Sequence, residues 1–238
     1  MSEFIRSEMI LGHDAIKKLK NSSVAVFGIG GVGSYVCEAL ARTGVGKLTF
    51  IDNDTVAISN INRQLIALHS TVGKYKTEVM KERAKDINPN AEITALNIFY
   101  TPENGDAIDF SSFDYIVDAI DTVTSKLYII EKATKMNIPV ISSMGTGNKT
   151  DSSRFEISDI SKTQTCPLAR VMRQELKKRG IQKLKVLWSD ESPITPLFQP
   201  DDNTQRRSTP GSVAFVPSVA GLLIAGEVIR DLINNERI

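Results

Sequence analysis

The residues best suited to chemistry form a glycine-rich turn that follows the apolar run Val24–Phe27 and precedes a helical pattern. Its glycines are Gly28, Gly30, Gly31 and Gly33. Glycine leaves backbone N–H groups uncovered, so a phosphate or ribose can lie against them at the positive end of a helix. A second apolar run ends at Asp52, where a carboxylate can accept hydrogen bonds from ribose hydroxyls. These residues together predict a nucleotide site.

A glycine turn followed about 20 residues later by an acid also occurs in NAD-binding proteins, so an NAD-dependent oxidoreductase is one alternative. The polar residues that follow favour a triphosphate, because a nicotinamide site needs neither a second carboxylate at Asp54 nor cations at Arg63 and Lys76. Two cations near a ribose-binding acid can neutralise the charge that develops on a leaving pyrophosphate. The sequence contains no GxxxxGK[ST] motif, so ATP would bind without a P-loop.

Further motifs extend this pattern along the chain. They are GIGGVGS, IDNDTV, SNINRQ, TVGKYK and VDAID, in this order from Gly28 to Asp121. The combination resembles the ubiquitin-activating-enzyme-like superfamily, whose bacterial members activate a carboxylate by adenylation. Outside this core, RSEMILG, SSMGTGNK, DISKT, CPLARVMR and PGSVAFVPSVAG resemble one branch of the superfamily, the tRNA threonylcarbamoyladenosine dehydratases. The resemblance covers nearly the whole length.

The resemblance implies ATP-dependent dehydration of threonylcarbamoyladenosine in tRNA. The free threonine carboxylate would be adenylated, and the carbamoyl group of the same base would then close a ring and expel AMP. The resemblance also implies a homodimer and a bound monovalent cation, Na⁺ or K⁺, and it leaves room for a sulfur-relay protein partner. Besides an NAD-dependent oxidoreductase, two other functions remain as alternatives. One is adenylation of the C-terminus of a ubiquitin-like sulfur carrier, and the other is nucleotide binding without catalysis.

The same resemblance assigns roles to several polar residues at the ATP site. It places there Asn60, Arg63, Lys76 and Asp121. Arg63 and Lys76 would stabilise the leaving pyrophosphate, and Asp121 would hold Mg²⁺, which in triphosphate sites takes one or two carboxylates and keeps several waters. Asp54 and Gln64 are further candidates for nucleotide contact. Asp121 can instead cap the helix that follows it, and both roles are compatible.

Two further candidate site residues, Arg6 and Cys166, lie outside the motif core. Arg6 precedes the first predicted helix, where relatives reach across a dimer to the partner's ATP, although a solvated arginine is an equal alternative. Cys166 stands before Pro167 in a predicted loop, where an accessible thiol could accept an activated acyl group. The sequence around Cys166 holds no histidine to activate it, and ring closure within one substrate needs no acyl-enzyme, so a noncovalent route is favoured.

The most one-sided charge in the chain lies between Arg170 and Lys185, where Glu175 is the only acid. The predicted helix Pro167–Arg179 places Arg170, Arg173 and Lys177 on one face, opposite apolar positions. The candidate nucleic-acid contacts are Arg170, Arg173, Lys177 and Lys178, and Arg206 with Arg207 could join them. A solvated surface helix is the alternative, but the shortage of compensating acids favours contact with a phosphate backbone.

Alternating apolar runs and helical periodicity predict the elements that position these residues. The predicted strands are Val24–Phe27, Leu48–Ile51, Tyr115–Ile120, Val140–Met144, Arg154–Ile160, Lys185–Ser189 and Ser212–Val216. The other predicted helices are Ser34–Arg42, Lys74–Ile87, Thr122–Met136 and Ser218–Asn234, and Asp190–Gly211 is predicted to be a mobile loop. The pattern indicates an α/β fold with a Rossmann-like, doubly wound, mainly parallel sheet extended by C-terminal strands.

Composition limits the remaining possibilities. With 238 residues, 41% of them hydrophobic and 24% charged, the chain is typical of a globular protein. We expect one continuous domain, in which residues 1–150 bind ATP and residues 151–238 carry the substrate-binding helix and loop. No apolar stretch is long enough for a membrane span and the start lacks a signal-peptide core, so the expectation is a cytoplasmic protein without a membrane partner.

Overall fold

A computed structural model describes residues 2–199 and 209–234 of the chain. Its strands are β1 Ser23–Phe27, β2 Lys47–Ile51, β3 Glu92–Leu96, β4 Tyr115–Asp118, β5 Val140–Ser143, β6 Phe155–Asp159 and β7 Lys185–Ser189. Its α-helices are α1 Ile5–Leu11, α2 His13–Asn21, α3 Gly33–Arg42, α4 Lys76–Ile87, α5 Val123–Lys135, α6 Pro167–Lys178 and α7 Phe215–Asn234. Short 3₁₀ turns lie in several of the connections.

The strands form one seven-stranded sheet in the order β3-β2-β1-β4-β5-β7-β6. All neighbouring strands are parallel except β6, which pairs antiparallel with β7. The chain winds outward from β1 through β2 to β3, then returns to place β4 on the other side of β1. This reversal creates the crevice at which open α/β sheets bind ligands. The predicted fold class, with its C-terminal extension by β6 and β7, is confirmed.

Helices cover both faces of the sheet, which explains why β1 is buried along its whole length. On one face α3 and α7 pack closely, because a Cβ at Gly221 would lie 2.4 Å from the backbone oxygen of Val32. The other face packs against α5 and α6, where Met172 and Leu176 point into the core. Strands from residues 1–150 and from residues 151–238 share the same sheet.

The predicted elements differ from the structure in several places. The helices α1 and α2 are not among the predicted helices, and Arg6, which was expected to precede the first helix, lies within α1. The strand β3 was not predicted, because it is an edge strand with only Ile93 buried and lacks a continuous apolar run. The predicted strand Ser212–Val216 is wrong, because α7 already begins at Phe215 with Pro217 in its first turn, where proline is tolerated. The predicted loop Asp190–Gly211 lies partly outside the described residues, as do Arg206 and Arg207. Among the described helices, none is both long and apolar enough to cross a membrane.

Candidate active site

A cleft of about 710 Å³ opens at the carboxyl ends of β1, β2, β4 and β5. Its volume lies in the range of sites that hold nucleotide-sized ligands. Ten of the predicted site residues line it: Gly28, Gly30, Gly31, Asp52, Asp54, Asn60, Arg63, Gln64, Lys76 and Asp121. Of the residues predicted for the nucleotide site, Gly33 and Arg6 do not line it. Residues that are spread over almost a hundred positions of the sequence are therefore brought together at one edge of the sheet.

The glycine turn joins β1 to α3 in a conformation that side chains would block. Gly28 has a φ of +88°, and a Cβ there would lie 2.7 Å from the backbone oxygen of Ala119. A Cβ on Gly33 would lie 1.7 Å from the backbone oxygen of Gly28, so this glycine permits the close packing of strand and helix. The N-cap residue of α3, Val32, offers no side-chain cap. In the first turn of α3 the N–H groups of Ser34 and Tyr35 donate to the backbone oxygens of Gly30 and Val32 at 3.1 Å, so the turn offers an open backbone surface rather than a row of unused donors.

Asp52 is anchored to this turn through both carboxylate oxygens. Oδ2 accepts a hydrogen bond from the backbone N–H of Ile29 at 2.7 Å, and Oδ1 accepts one from Asp54 at 2.8 Å. Burial raises the pKa of Asp52 above its ordinary value, although nearby Lys76 and these two N–H groups oppose the shift. Each oxygen keeps acceptor capacity. The carboxylate is thus held where it can accept hydrogen bonds from two ribose hydroxyls.

Lys76 begins α4 and points into the cleft from a nearly buried position. Its ammonium donates to Asp54 Oδ2 at 2.7 Å, and its side chain is 6% exposed. The backbone N–H of Lys76 also donates to the backbone oxygen of Asp54 at 3.1 Å. These two contacts tie the segment after β2 to the first turn of α4.

Asn60 organises the polar turn that carries Arg63. Its side-chain Oδ1 accepts from the N–H of Ala57 at 3.0 Å, and its backbone oxygen accepts from the N–H groups of Arg63 and Gln64. Asn60 and Gln64 are both buried. The side-chain oxygen Oε1 of Gln64 has no hydrogen-bond partner in the described part of the chain. A buried polar atom without a partner at a cleft wall is an available contact for a polar ligand.

The guanidinium of Arg63 is held from one side only. Its Nη1 donates to the backbone oxygen of Ser59 at 2.7 Å and to Asn62 Oδ1 at 3.0 Å. Burial lowers the pKa of Arg63 below its ordinary value, although an arginine remains charged at any physiological pH. Within the described residues no carboxylate forms an ion pair with Arg63. Its charge is therefore available to an anion in the cleft.

Asp121 follows β4 and is exposed at the cleft, one residue before Thr122, which holds the N-cap position of α5. The side chain of Thr122 makes no cap hydrogen bond. In the first turn of α5, the hydroxyl of Ser125 is buried and has no partner among the described residues. These features, with Gln64 and the bare glycine turn, fit a polyanionic nucleotide.

The donor set also fits magnesium. Within residues 2–199 and 209–234, no three His, Cys, Asp or Glu side chains converge in a way that could hold a metal ion. An all-protein metal cage is therefore not built there. A single carboxylate at the cleft, such as that of Asp121, is compatible with Mg²⁺, which in nucleotide sites binds mainly to phosphate oxygens and water.

Cys166 lies on the cleft wall at the N-cap of α6, but the predicted accessibility is wrong because the residue is only 4% exposed. Ala169 and Met172 of α6 share its apolar cluster. Lys149, which also lines the cleft, is buried and donates from Nζ to the backbone oxygen of Glu191. Burial lowers the pKa of Lys149, with Cys166 acting in the opposite direction.

The basic helix α6 leads away from the cleft, since Pro167 and Leu168 line it. Arg170 and Lys177 are exposed. Arg173 is half-buried, because its Nη1 donates to the backbone oxygen of Thr163 at 2.7 Å. Lys178 forms an ion pair with Glu175 at 2.6 Å, and the neighbouring Arg179 forms another with the same carboxylate. Glu175 thus compensates the positive charge at the C-terminal end of α6. The positive charge that it does not compensate lies nearer the N-terminal end of the helix, at the cleft.

Arg6 is exposed on α1, away from the cleft of its own chain. Met9 and Ile10 on the same helix are 81% and 85% exposed. Sequence reasoning missed three buried polar residues around the cleft, namely Ser125, Lys126 and Lys149. The one signal for Lys126 was the polar Asp118 within the apolar run Tyr115–Ile120, which needs a buried partner.

At the switch point of a doubly wound sheet, the cleft combines a bare glycine turn, a carboxylate at the end of β2 and two cations. This arrangement defines a nucleotide-binding protein of the Rossmann-like class. The chain belongs to the ThiF family, whose sequence model matches residues 4–238. It is 48% identical to the tRNA threonylcarbamoyladenosine dehydratase of Bacillus subtilis, over 99% of this chain and 96% of that protein.

Solved structures give the same relationship. The chain is similar to the tRNA N6-threonylcarbamoyladenosine dehydratase of Escherichia coli in complex with AMP, with a TM-score of 0.88 and 32% identity. It is also similar to the complex of that protein with ATP, with a TM-score of 0.86 and 31% identity. Each match covers 97% of this chain and 93% of the other.

Proposed function

We propose that the protein catalyses the ATP-dependent dehydration of threonylcarbamoyladenosine in tRNA. The observation that carries this proposal is the cleft in which Asp52, Arg63, Lys76 and Asp121 surround an uncovered glycine turn. The arrangement occurs in a chain that matches a dehydratase of this name over nearly its full length. The structural relative binds ATP and AMP, which are the substrate of adenylation and a product of the ring closure that follows it.

The first step activates an inert carboxylate. An oxygen of the threonine carboxylate attacks the α-phosphorus of ATP, and the bond from that phosphorus to the bridging oxygen of pyrophosphate breaks. Arg63 and Lys76, which line the cleft, would neutralise the charge that collects on the leaving pyrophosphate. Asp52 positions the nucleotide through its ribose, so the attacking and leaving groups are aligned before reaction. The products are an acyl-adenylate and pyrophosphate.

The second step closes the ring. The carbamoyl group of the same modified base attacks the activated carbonyl carbon, loses a proton and expels AMP. The net change is the loss of one water. Because nucleophile and electrophile belong to one substrate, the protein needs mainly to orient them, and such tethering can contribute roughly 7–11 kcal/mol to lowering the barrier. A covalent acyl-enzyme at the buried Cys166 is not required.

Asp121 is the residue that would hold Mg²⁺, together with phosphate oxygens of ATP. Bound there, the ion would neutralise phosphate charge as the pyrophosphate departs. A monovalent cation, Na⁺ or K⁺, is a further expected component that we do not assign to particular residues.

We propose that tRNA approaches along α6, whose residues Arg170, Arg173, Lys177 and Lys178 would contact the phosphate backbone. Since α6 begins at the cleft, a backbone lying along it would bring a neighbouring base to the bound ATP. In this arrangement residues 1–150 activate the carboxylate and residues 151–238 hold the substrate. The helix surface alone gives no base-specific recognition, because phosphate contacts position a nucleic acid without reading its sequence.

We also propose a homodimer in the cytoplasm, in which Arg6 of one protomer reaches the ATP of the other. The exposed Met9 and Ile10 beside Arg6 support this arrangement, because adjacent exposed apolar side chains can mark a protein interaction site. A sulfur-relay protein partner is compatible with the proposal.

The direct test is nucleoside mass spectrometry of tRNA bearing threonylcarbamoyladenosine after incubation with protein, ATP and Mg²⁺. We expect the modified nucleoside to lose the mass of one water, and AMP to form in equal amount. The Arg63→Ala variant is the matched control. If NAD binds tightly and ATP does not, or if AMP forms only with a sulfur-carrier protein, the alternatives replace this proposal.

A further inference from the structure

A completely buried ion pair lies directly beneath the cleft. Lys126 in α5 and Asp118 at the end of β4 are both 0% exposed, and the ammonium lies 2.9 Å from Asp118 Oδ2. The ammonium also donates to the backbone oxygens of Ile120 at 3.1 Å and Ser143 at 2.9 Å. All three donors of the ammonium are thereby used. This is a complete network rather than an isolated pair.

The carboxylate of Asp118 is equally engaged. Its Oδ2 accepts from the hydroxyl of Ser142 at 2.6 Å, and its Oδ1 accepts from the N–H of Ile120 at 3.4 Å. Through these contacts the network joins the end of β4, the end of β5 and the first turn of α5. Each of these elements contributes residues to the cleft wall.

The network fixes the backbone that carries Asp121. Ile120, which precedes Asp121, is held through both its N–H and its oxygen. Ala119, Ile120 and Ser143 all line the cleft, and the backbone oxygen of Ala119 lies against Gly28. A shift of this segment would move Asp121 and the floor of the glycine turn together.

A buried ion pair is an inefficient way to gain stability, because the loss of hydration offsets the attraction between the charges. Two apolar side chains could fill the same space, but they could not hold the oxygens of Ile120 and Ser143 in fixed positions. The geometry therefore points to a role in placing the cleft wall.

We propose that Lys126 is a positioning residue for carboxylate activation, which sets the place of Asp121 by holding the Ile120 backbone. The inference rests on the proposed function, since it assigns Asp121 to Mg²⁺-ATP. Lys126 itself lies below the cleft wall and contacts no reacting group, so its effect is expected in turnover and in the Mg²⁺ requirement rather than in ATP affinity.

The test compares Lys126→Met with a matched control, Lys185→Met, in the full chain. Lys185→Met also removes ion pairs, those of Lys185 with Glu227 and Asp231. These pairs join β7 to α7 and lie away from the cleft. We measure kcat, KM for ATP, the Mg²⁺ concentration for half-maximal rate, and Tm. For Lys126→Met we expect kcat to fall about tenfold or more, since small misplacements of reacting groups have large effects. The Mg²⁺ requirement should rise, while KM for ATP changes less than about threefold.

Two further variants keep the inference testable if Lys126→Met does not fold. Asp118→Asn combined with Lys126→Met removes both charges and is expected to fold, with kcat still low. Ser142→Ala removes a single buried hydrogen bond to Asp118, so it should raise the Mg²⁺ requirement modestly and lower Tm by only a few degrees. If the variants that fold keep the kcat and Mg²⁺ requirement of Lys185→Met, the positioning role is wrong.

The same assay separates this inference from the function on which it rests. If the unaltered protein dehydrates no tRNA, the proposed function fails, and the positioning role is then judged by Mg²⁺-dependent ATP binding. In that case Lys126→Met should need more Mg²⁺ than Lys185→Met to reach the same occupancy. An equal requirement would overturn the inference independently of tRNA.

Discussion

Lys76 and Asp54 form an unequal ion pair at the cleft, in which the lysine side chain is 6% exposed and the aspartate side chain 60% exposed. The cation is therefore fixed by the fold, whereas its partner remains open to solvent. A phosphate entering the cleft can accept from the same ammonium, because the other donors of Lys76 need not be directed at Asp54. The carboxylate of Asp54 thus compensates the charge of a nearly buried lysine before ATP arrives.

The first prediction distinguishes the two partners. Lys76→Met should lower kcat for dehydration by about 100-fold or more, because a preorganised charge at the leaving pyrophosphate is lost. Asp54→Asn should lower it by less than about tenfold, because the ammonium remains and one amide oxygen can still accept from it. Steady-state rates with saturating tRNA check both values. Equal losses in the two variants would mean that Asp54 takes part in the reaction directly.

The second prediction concerns Arg63, whose side chain donates, among the described residues, to oxygens of its own turn at Ser59 and Asn62. Arg63→Ala should abolish measurable ATP turnover while the protein stays folded, since its free charge faces the cleft and its contacts are local. Arg154→Ala is the matched control, because Arg154 is an exposed arginine paired with Asp190. Full activity of Arg63→Ala, at a Tm equal to that of the control, would remove Arg63 from the mechanism.

The sequence alone was sufficient to predict the parts of this site that depend on a local residue pattern. The glycine turn and Asp52 follow apolar strands directly, and parallel strands end at one edge, so their convergence could be predicted before any contact was known. Lys126 could not be found in this way, because its partners Asp118 and Ser143 are brought to it by the sheet. The burial of Cys166 was likewise a property of how α6 packs, which the loop-like sequence around it does not reveal.

The third prediction concerns nucleic-acid contact by α6. Arg170→Ala and Lys177→Ala should each weaken tRNA binding and reduce the slope of log affinity against log salt concentration by about 1, because each removes one phosphate contact. Arg173→Ala should also lower Tm, since its guanidinium holds the backbone of Thr163. Binding measured from about 50 to 200 mM salt checks the slopes. Lys47→Ala, on the distant strand β2, is the control and should leave the slope unchanged.

The fourth prediction is a pH dependence of stability that arises far from the cleft, at Glu38 in α3. Glu38 is buried and accepts from Arg42 at 2.7 Å and from Arg83 at 2.7 and 2.9 Å. Burial alone would raise the pKa of Glu38, but the hydrogen bonds and charges of the two arginines lower it below its ordinary value of 4.5.

Because the folded state holds this proton less tightly than the unfolded state, the stabilisation is complete above pH 4.5 and is lost as the pH falls through the lowered pKa. Glu38→Gln should therefore reduce the free energy of unfolding by about 1–2 kcal/mol at pH 7, and the difference should shrink toward zero as the pH falls below 4.5 and through the lowered pKa. Urea unfolding at several pH values measures it. Glu92→Gln, whose 73% exposed carboxylate lies 3.8 Å from Lys47, should change stability by less than about 0.5 kcal/mol throughout. A constant difference for Glu38→Gln across this range would show that shape rather than charge holds α3 against α4.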